Sequence, residues 1–337
     1  MSNEEPSDKS GLVPSAGGSL SNPSPGLVRR GLDSLHVQQL RTLHFPPDRS
    51  IGAIEVKESS NSSVVIGEAR GDITLPANLK LIFSVDEEMT SVDLSPLVKL
   101  QRDDLYAVTL YNTGVSENHL VYLQSLTELQ ELNLPRSAIS DAGLVHIQVL
   151  SALKNLNLTL TQITDVGLDQ LIEMARLQVL WLGGCSITDA GLERIAGLTN
   201  LQHLILWGTQ ITDAGLRHVE KLAALEKLSI ARTGIRGSGL KHLGGMIRLE
   251  RLYLEDTWVE DAELRHLVGL TSLSHLSLAG TRVSDIGLKS LEGLTALKRL
   301  SVTGTMVTDS GLERLRRVLP ACVVCRYVDA FQREVRL

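Results

Sequence analysis

Apolar residues recur with a fixed period over most of the chain. A β-branched aliphatic residue, usually followed by Ser or Thr, then Asp, any residue, Gly and Leu, is found most clearly at residues 187–192. Successive copies are separated by one constant interval of twenty-four positions, and their aliphatic residues are Val115, Ile139, Ile163, Ile187, Ile211, Ile235, Val259, Val283 and Val307. Self-similarity at one period of this length indicates a solenoid rather than independent helices and strands.

Two apolar spacings alternate inside each copy. Leu-x-Leu before the aliphatic residue has period two, which predicts a short strand, and the apolar positions after it have a period of about three, which predicts a helical or 3₁₀ segment. One such unit cannot bury its own apolar face. We therefore expect neighbouring units to stack with their strands in register, forming a parallel sheet on the inside of a curved solenoid with helices outside.

The repeating residues resemble a known family. Leu201, Leu204 and Leu206, followed by Ile211-Thr-Asp-Ala-Gly-Leu, are similar to the leucine-rich repeat in its variant L-x-x-L-x-L-x-x-(Cys/Thr)-x-I-T-D-x-G-L, which occurs in F-box-associated proteins and in many bacterial proteins. Only Cys185 keeps the cysteine of that variant, and no F-box-like segment precedes the repeats. The resemblance implies an α/β leucine-rich-repeat solenoid, a horseshoe with a parallel concave sheet and convex helices.

The pattern also divides the chain. Nine repeats of equal length occupy residues 105–320, and a tail rich in Ser, Pro and Gly at 1–30 is expected to be disordered. Residues 31–104 are expected to form a small β-rich module or cap, with a short amphipathic helix over 32–43 and β-prone runs at 51–56, 63–66 and 79–85. Residues 321–337 are expected to cap the last repeat, with a strand over 321–328 and Phe331 folded back onto it.

Composition narrows the class of protein. Aromatic residues make up only 3% of the chain, so its core must be aliphatic, and the net charge of −6 gives no overall basic balance that would favour nucleic acid. Three cysteines are too few for a disulfide framework. The polar N-terminus lacks the order of a secretory signal, and no apolar run approaches the ~18 residues of a membrane span. We expect a cytoplasmic protein without membrane contact.

Candidate catalytic and metal sites have simpler interpretations. No nucleotide-binding, zinc-protease or nucleophile-elbow signature is found, so neither an enzyme nor a cofactor is expected. One carboxylate per turn suits the capping of free N–H groups better than metal binding; the positions are Asp141, Asp165, Asp189, Asp213, Asp261, Asp285 and Asp309.

Histidines that share one helical position are expected on a solvated convex face: His146, His218, His242 and His266. Cys322 and Cys325 read as partly buried thiols, with any redox or metal role left open.

The concave face carries the candidate binding residues. Alternate strand residues point away from the core, so we expect an exposed aromatic and aliphatic patch of Trp181, Ile205, Trp207 and Tyr253. Beside it lies a basic stripe of His203, Lys227, Arg251, His275 and Arg299. Exposed aromatic residues next to arginine are enriched at interaction hot spots. The alternative is that Trp181 and Trp207 merely cover each other.

These observations favour a protein–protein interaction module or scaffold that recognises a macromolecular partner through its concave face. Nucleic acid is disfavoured, because two of the five basic positions are histidine. The alternative is an enzyme or regulatory protein with its site in the N-terminal module and the repeats as substrate receptor, including a ubiquitin-ligase-like substrate adaptor. The partner's identity and the oligomeric state stay open.

Overall fold

A computed structural model describes residues 39–59, 62–85 and 92–326. From Leu40 onward the chain forms one compact unit. The expected tail at 1–30 and Phe331 lie outside the described residues, and the boundaries of the four expected segments stay predictions.

Fifteen strands are present in the described residues. They are β1 (Leu40–His44), β2 (Ala53–Ser59), β3 (Ser62–Glu68), β4 (Asp72–Pro76), β5 (Leu81–Val85), β6 (Ala107–Leu110), β7 (Glu131–Asn133), β8 (Asn155–Asn157), β9 (Val179–Trp181), β10 (His203–Ile205), β11 (Lys227–Ser229), β12 (Arg251–Tyr253), β13 (His275–Ser277), β14 (Arg299–Ser301) and β15 (Val323–Cys325). β5 to β15 run parallel in sequence order, so corresponding residues of successive repeats lie side by side, and the antiparallel hairpin β2–β3 extends the sheet beyond β5. The α/β solenoid expected from the repeats is thus the fold of the protein.

Short helical segments return the chain to the next strand. The α-helices are α1 (Glu117–Leu120), α2 (Asp141–Ile147), α3 (Asp189–Ile195), α4 (Leu216–Val219), α5 (Asp285–Leu288) and α6 (Asp309–Val318). The 3₁₀ segments are Ser95–Lys99, Val121–Leu123, Gly167–Leu171, Ser238–His242, Asp261–Leu267 and Lys289–Leu291. Leucine, isoleucine and valine from strands and helices form one continuous buried core, as the low aromatic content predicts.

Each strand ends in a turn whose hydroxyl group is satisfied locally. The Thr or Ser two residues before the repeat's aliphatic position donates its hydroxyl to the backbone carbonyl three residues earlier, as Thr209 does to Leu206 at 2.7 Å. Cys185 takes the same place in its repeat and donates its thiol to Leu158 O, 3.0 Å away. This column therefore satisfies backbone carbonyls at the ends of the strands.

The recurring aspartate of the repeats joins one turn to the next. The carboxylate of Asp165 accepts hydrogen bonds from Thr188 N at 2.8 Å and Thr188 Oγ1 at 2.5 Å, and Asp141, Asp189, Asp261 and Asp285 make the same pair of bonds to the following repeat. At the last of these, the bonds from Thr308 lower the pKa of Asp285. The structural interpretation of the acidic column is confirmed, although the bonds link neighbouring repeats rather than capping the aspartate's own helix.

The glycine of the motif leaves room for that aspartate. A Cβ at Gly191 would overlap the Asp165 carboxylate of the preceding repeat and lie 2.8 Å from Ile187 Cγ2. One pair of repeats exchanges the two roles: Gly237 replaces the aspartate, and Glu263 replaces the glycine of the following repeat. The side chain of Glu263 then occupies the space above Gly237, with its Cβ 2.7 Å from where a Cβ of residue 237 would lie.

The N-terminal residues differ in part from expectation. The helix expected over 32–43 is wrong for its described part, because Leu40–His44 is strand β1, which pairs antiparallel with β4 and buries Leu43. The burial pattern along β1 has the period of a strand. β-strands overlap all three runs that the sequence marks as β-prone, whereas β4 was not anticipated.

Candidate functional site

The basic stripe lies in register across five parallel strands. His203, Lys227, Arg251, His275 and Arg299 pair in this order through β10 to β14; we call these residues the cationic column. Adjacent strands of a sheet are about 4.8 Å apart, which concentrates positive charge on one lane. The pKa of His203 is lowered, first by burial and then by the charge of Lys227. Glu226 opposes this shift, Arg251 adds a smaller lowering, and Glu250 has the smallest, opposing effect.

Most of the expected aromatic and aliphatic patch is packed inside the protein. Ile205 and Tyr253 are 2% and 1% exposed, and the Lys227 side chain is also buried, so the expectation that these residues face solvent is wrong. The Lys227 ammonium lies 5.6 Å from the centroid of the Trp181 ring and 5.5 Å from that of Tyr253. These cation–π contacts hold the lysine side chain against the aromatic rings of the strands on either side of it.

Trp207 packs on the turn that follows β9. A Cβ at Gly183 would lie 2.8 Å from Trp207 Cδ1, so the indole occupies space that only glycine leaves open. Glu255 occupies the position of Trp207 two repeats later, and burial raises the pKa of its carboxyl. Trp207 therefore covers a glycine of the preceding repeat.

A cleft lies at the N-terminal end of the concave face, where the hairpin β2–β3 stands beside the repeats. It encloses about 680 Å³ between Lys57 and Lys80 on one side and the inner residues of β7 to β10 on the other, including Trp181 and His203. This volume is in the range of small-ligand and peptide-side-chain pockets. The sequence did not indicate it, because the position of the hairpin depends on how the cap joins the sheet.

The base of the cleft is a buried polar cluster. Lys57 Nζ lies 2.5 Å from both carboxylate oxygens of Glu131, and each of these side chains is 13% exposed. Tyr106 donates its hydroxyl to Glu131 at 3.1 Å, and Asn155 donates its amide at 3.1 Å. Burial, followed by the charge of Glu131 and this hydrogen bond, raises the pKa of Tyr106 to about 12. The cluster fixes the floor of the cleft rather than leaving a reactive group in it.

Two asparagines of β8 keep half of their hydrogen-bonding capacity. Asn155 commits its NH₂ group to a carboxylate, which can only accept, so its Oδ1 is left as an acceptor. Asn157 accepts the Thr159 N–H through Oδ1 at 3.0 Å, so its NH₂ group is left as a donor. Neither open half has a partner among the described residues, and both side chains line the cleft.

The other candidate groups have local partners. His218 is buried rather than solvated and accepts a bond from Arg217, while His146 and His242 bond to Gln124 and Glu220. In the part of the chain that the structure describes, no group of three His, Cys, Asp or Glu side chains is placed to hold a metal ion. Burial, together with nearby Cys325, raises the pKa of the Cys322 thiol to about 11, which keeps it protonated at neutral pH.

One exposed aromatic residue was missed. Trp258 is 49% exposed and lies between the guanidinium groups of Arg236 and Arg282, 6.0 and 4.5 Å from its ring centroid. It occupies the position just before the aliphatic residue, where other repeats carry small, polar or unbranched side chains. A comparison of that column along the sequence would have singled it out.

No helix among the described residues is long and apolar enough to cross a membrane. Two polar residues of the N-terminal segment have separate partners: His44 pairs with Asp72 at 2.8 Å, and Arg49 pairs with Asp93.

Comparison with known proteins identifies the repeats. The model of the leucine-rich repeat family matches residues 151–171 and 269–291. No curated protein matches the chain in sequence. The structure is similar to that of internalin C2 from Listeria monocytogenes, with 26% identity, a TM-score of 0.51, and coverage of 63% of this chain and 84% of that one.

Two further solved structures are more distant. An internalin F from the same organism has 17% identity and a TM-score of 0.40 over 77% of this chain and 91% of that chain. A TDR receptor has 15% identity and a TM-score of 0.47 over 73% of this chain and 45% of that chain. Leucine-rich repeats typically bind proteins and carry no enzymatic activity, so the family supports a protein-interaction module in general. The repeating motif, the parallel in-register sheet and the family match over these two segments agree that the chain contains leucine-rich repeats.

Proposed function

We propose that the protein binds a protein partner through its concave face, in the cleft beside the hairpin β2–β3 and along the cationic column. The observation that carries this proposal is the open hydrogen-bonding capacity of Asn155 and Asn157 on the floor of the cleft. A side-chain acceptor and a side-chain donor, two residues apart on one strand, complement the N–H and C=O groups of a polypeptide backbone.

The contrast with the turns between repeats supports the choice of face. There, the aspartate carboxylates and the hydroxyls of Thr or Ser are bonded to each other from repeat to repeat. Groups that satisfy one another offer a partner little net gain, because an existing hydrogen bond must be broken to form the new one. Open polar groups on the concave face carry no such cost.

Position-specific photo-crosslinking tests the proposal. A photoreactive amino acid placed at Asn157, inside the cleft, should crosslink a partner protein in lysate of the native host, whereas the same residue at Val166, exposed on the helical side, should not. The N155A/N157A variant should then recover less of that partner. The matched control, Q148A/Q162A, removes two exposed amides elsewhere and should recover it normally.

Equal crosslinking from residues 157 and 166 would contradict the choice of the concave face. So would full recovery of the partner by N155A/N157A, provided that circular dichroism shows the variant to be folded.

A further inference from the structure

The cationic column has two arginines with open guanidinium groups. Arg251 is half-buried and Arg299 is exposed, and neither forms an ion pair or side-chain hydrogen bond with any described residue. They lie on β12 and β14, two strands apart, so their positions are separated by about 10 Å. Because arginine binds carboxylates through two parallel hydrogen bonds, each can anchor one carboxylate.

The rest of the column supplies positive potential. The Lys227 ammonium lies over the rings of Trp181 and Tyr253. Nearby carboxylates offset this charge only in part: Glu226 is bonded to Arg248 at 2.9 Å, and Glu226 and Glu250 each raise the pKa of His203 by less than Lys227 lowers it, burial being the largest influence. A negatively charged group arriving here would relieve repulsion between like charges.

We propose that the cationic column binds an acidic polypeptide segment, with carboxylates about 10 Å apart, the separation of every second strand, seated on Arg251 and Arg299. This inference rests on the proposed function, because it names the chemistry of the partner at the concave face. The segment crosses the strands. Its negative charge complements the cationic column, in which neither arginine is paired with a carboxylate of the described residues.

An acidic polypeptide fits this lane better than nucleic acid. Proteins that bind DNA commonly neutralise about 6–10 phosphates, whereas only two cations of the column are open and permanently charged. The protein as a whole carries a net charge of −6, which would oppose a long polyanion. Two carboxylates at a fixed distance require only the two arginines.

The spacing defines a simple probe. An extended chain advances about 3.3–3.6 Å per residue, so glutamates at every third residue are about 10 Å apart. A fluorescent peptide with the sequence (Glu-Ser-Gly) repeated four times therefore matches the column, and (Gln-Ser-Gly) repeated four times has the same length without the charge.

Fluorescence anisotropy with the full chain in about 20 mM salt, where screening is weak, measures binding of both peptides. The glutamate peptide should bind and the glutamine peptide should not, and R251Q/R299Q should weaken binding by about fivefold or more, consistent with two exposed ion pairs. The control R316Q/R317Q removes the same charge from the exposed side of α6 and should stay within about twofold of the unmodified chain on the same scale.

Three outcomes would overturn the inference: equal binding of the two peptides, an unchanged affinity in R251Q/R299Q, or tighter binding of a DNA duplex than of the glutamate peptide. The crosslinking experiment separates this from the proposed function. If the partner captured from residue 157 is recovered equally by R251Q/R299Q, the concave-face proposal stands and the acidic-segment inference fails. If no partner is captured from residue 157, the concave-face proposal fails whatever the peptides do.

Discussion

The glycine of the repeat motif is expected to be required by the aspartate of the preceding repeat, and Gly191→Ala tests this. Gly191 lies inside α3 with ordinary helical neighbours, where alanine alone would stabilise a helix by about 1 kcal/mol. An added methyl group, however, would overlap the Asp165 carboxylate and lie 2.8 Å from Ile187 Cγ2 and 3.1 Å from Leu168 Cδ1. The intrinsic preference and the contact therefore have opposite signs.

The size of the effect follows from the bonds at risk. Moving the Asp165 carboxylate away breaks its bonds to Thr188 N and Thr188 Oγ1. Hydrogen bonds to a charged group contribute about 1.5–3 kcal/mol each. The two bonds together contribute about 3–6 kcal/mol, and because water replaces part of this at a half-exposed turn, we take about half of the total, about 2 kcal/mol. After the helix gain of about 1 kcal/mol is subtracted, Gly191→Ala should lower the free energy of unfolding by about 1 kcal/mol.

Urea unfolding followed by circular dichroism measures the change as a lower midpoint at an unchanged slope. Gly197→Ala is the matched control, because this glycine lies in the same repeat and has no atom within 4 Å of an added Cβ; it should be neutral or slightly stabilising. The double variant Asp165→Ala/Gly191→Ala should lose much less than the sum of the two single changes, since the carboxylate is then absent. A stabilising Gly191→Ala, or strict additivity with Asp165→Ala, would refute the reasoning.

Three other outcomes are expected. Glu131→Gln should lower the pKa of Tyr106 from about 12, where burial and then the charge of Glu131 hold it, in an ultraviolet titration. Because the folded pKa is raised above its ordinary value, the stability that this phenol contributes is present below about pH 10 and is lost as pH rises from there to the folded pKa. In the variant this loss should be smaller and complete at a lower pH, so an unchanged alkaline profile would count against the contact. Thr209→Val should lower the free energy of unfolding by about 1–2 kcal/mol, because the buried hydroxyl donates to a backbone carbonyl, while Thr209→Ser should cost less than half of that in the same urea assay; equal losses would contradict the role of the hydroxyl. Arg251→Gln should raise the pKa of His203, which is lowered first by burial and then by the charges of Lys227 and Arg251; an NMR titration of the imidazole measures this change. Because the folded pKa lies below the ordinary value of 6.5, the stability linked to neutral His203 is lost as pH falls. This loss should be smaller in Arg251→Gln than in the unmodified protein.

The repeat pattern predicted the core and the register almost completely. Leu204 and Leu228 pair in register because every repeat has the same length, so a single spacing decides each neighbour. The same regularity shows where the pattern changes: the exchange between Gly237 and Glu263 is visible in the sequence as two departures. Only the structure shows that these departures occupy the same space.

The candidate site was less predictable. Alternation along a strand predicted that Tyr253 and Ile205 are exposed on the concave side, but both are buried, and the Lys227 ammonium of a neighbouring strand lies 5.5 Å from the centroid of the Tyr253 ring. Exposure depends on the length and direction of such side chains, which a residue's position in the repeat does not specify. The cleft was missed for a related reason, because Lys57 reaches Glu131 across 74 positions of the chain.

The sequence alone determined the number of repeats, the aliphatic core and the columns of side chains, because each follows from one constant period. The tertiary structure decided which residues of those columns stay open to a partner. The stacking of similar repeats depends only on each repeat and its neighbours, so it can be inferred from the sequence. Other features arise from contacts between residues that differ from repeat to repeat: the burial of Tyr253, the packing of Trp207 on Gly183 and the cleft beside the hairpin. Such contacts have no period, and only their positions in space define them.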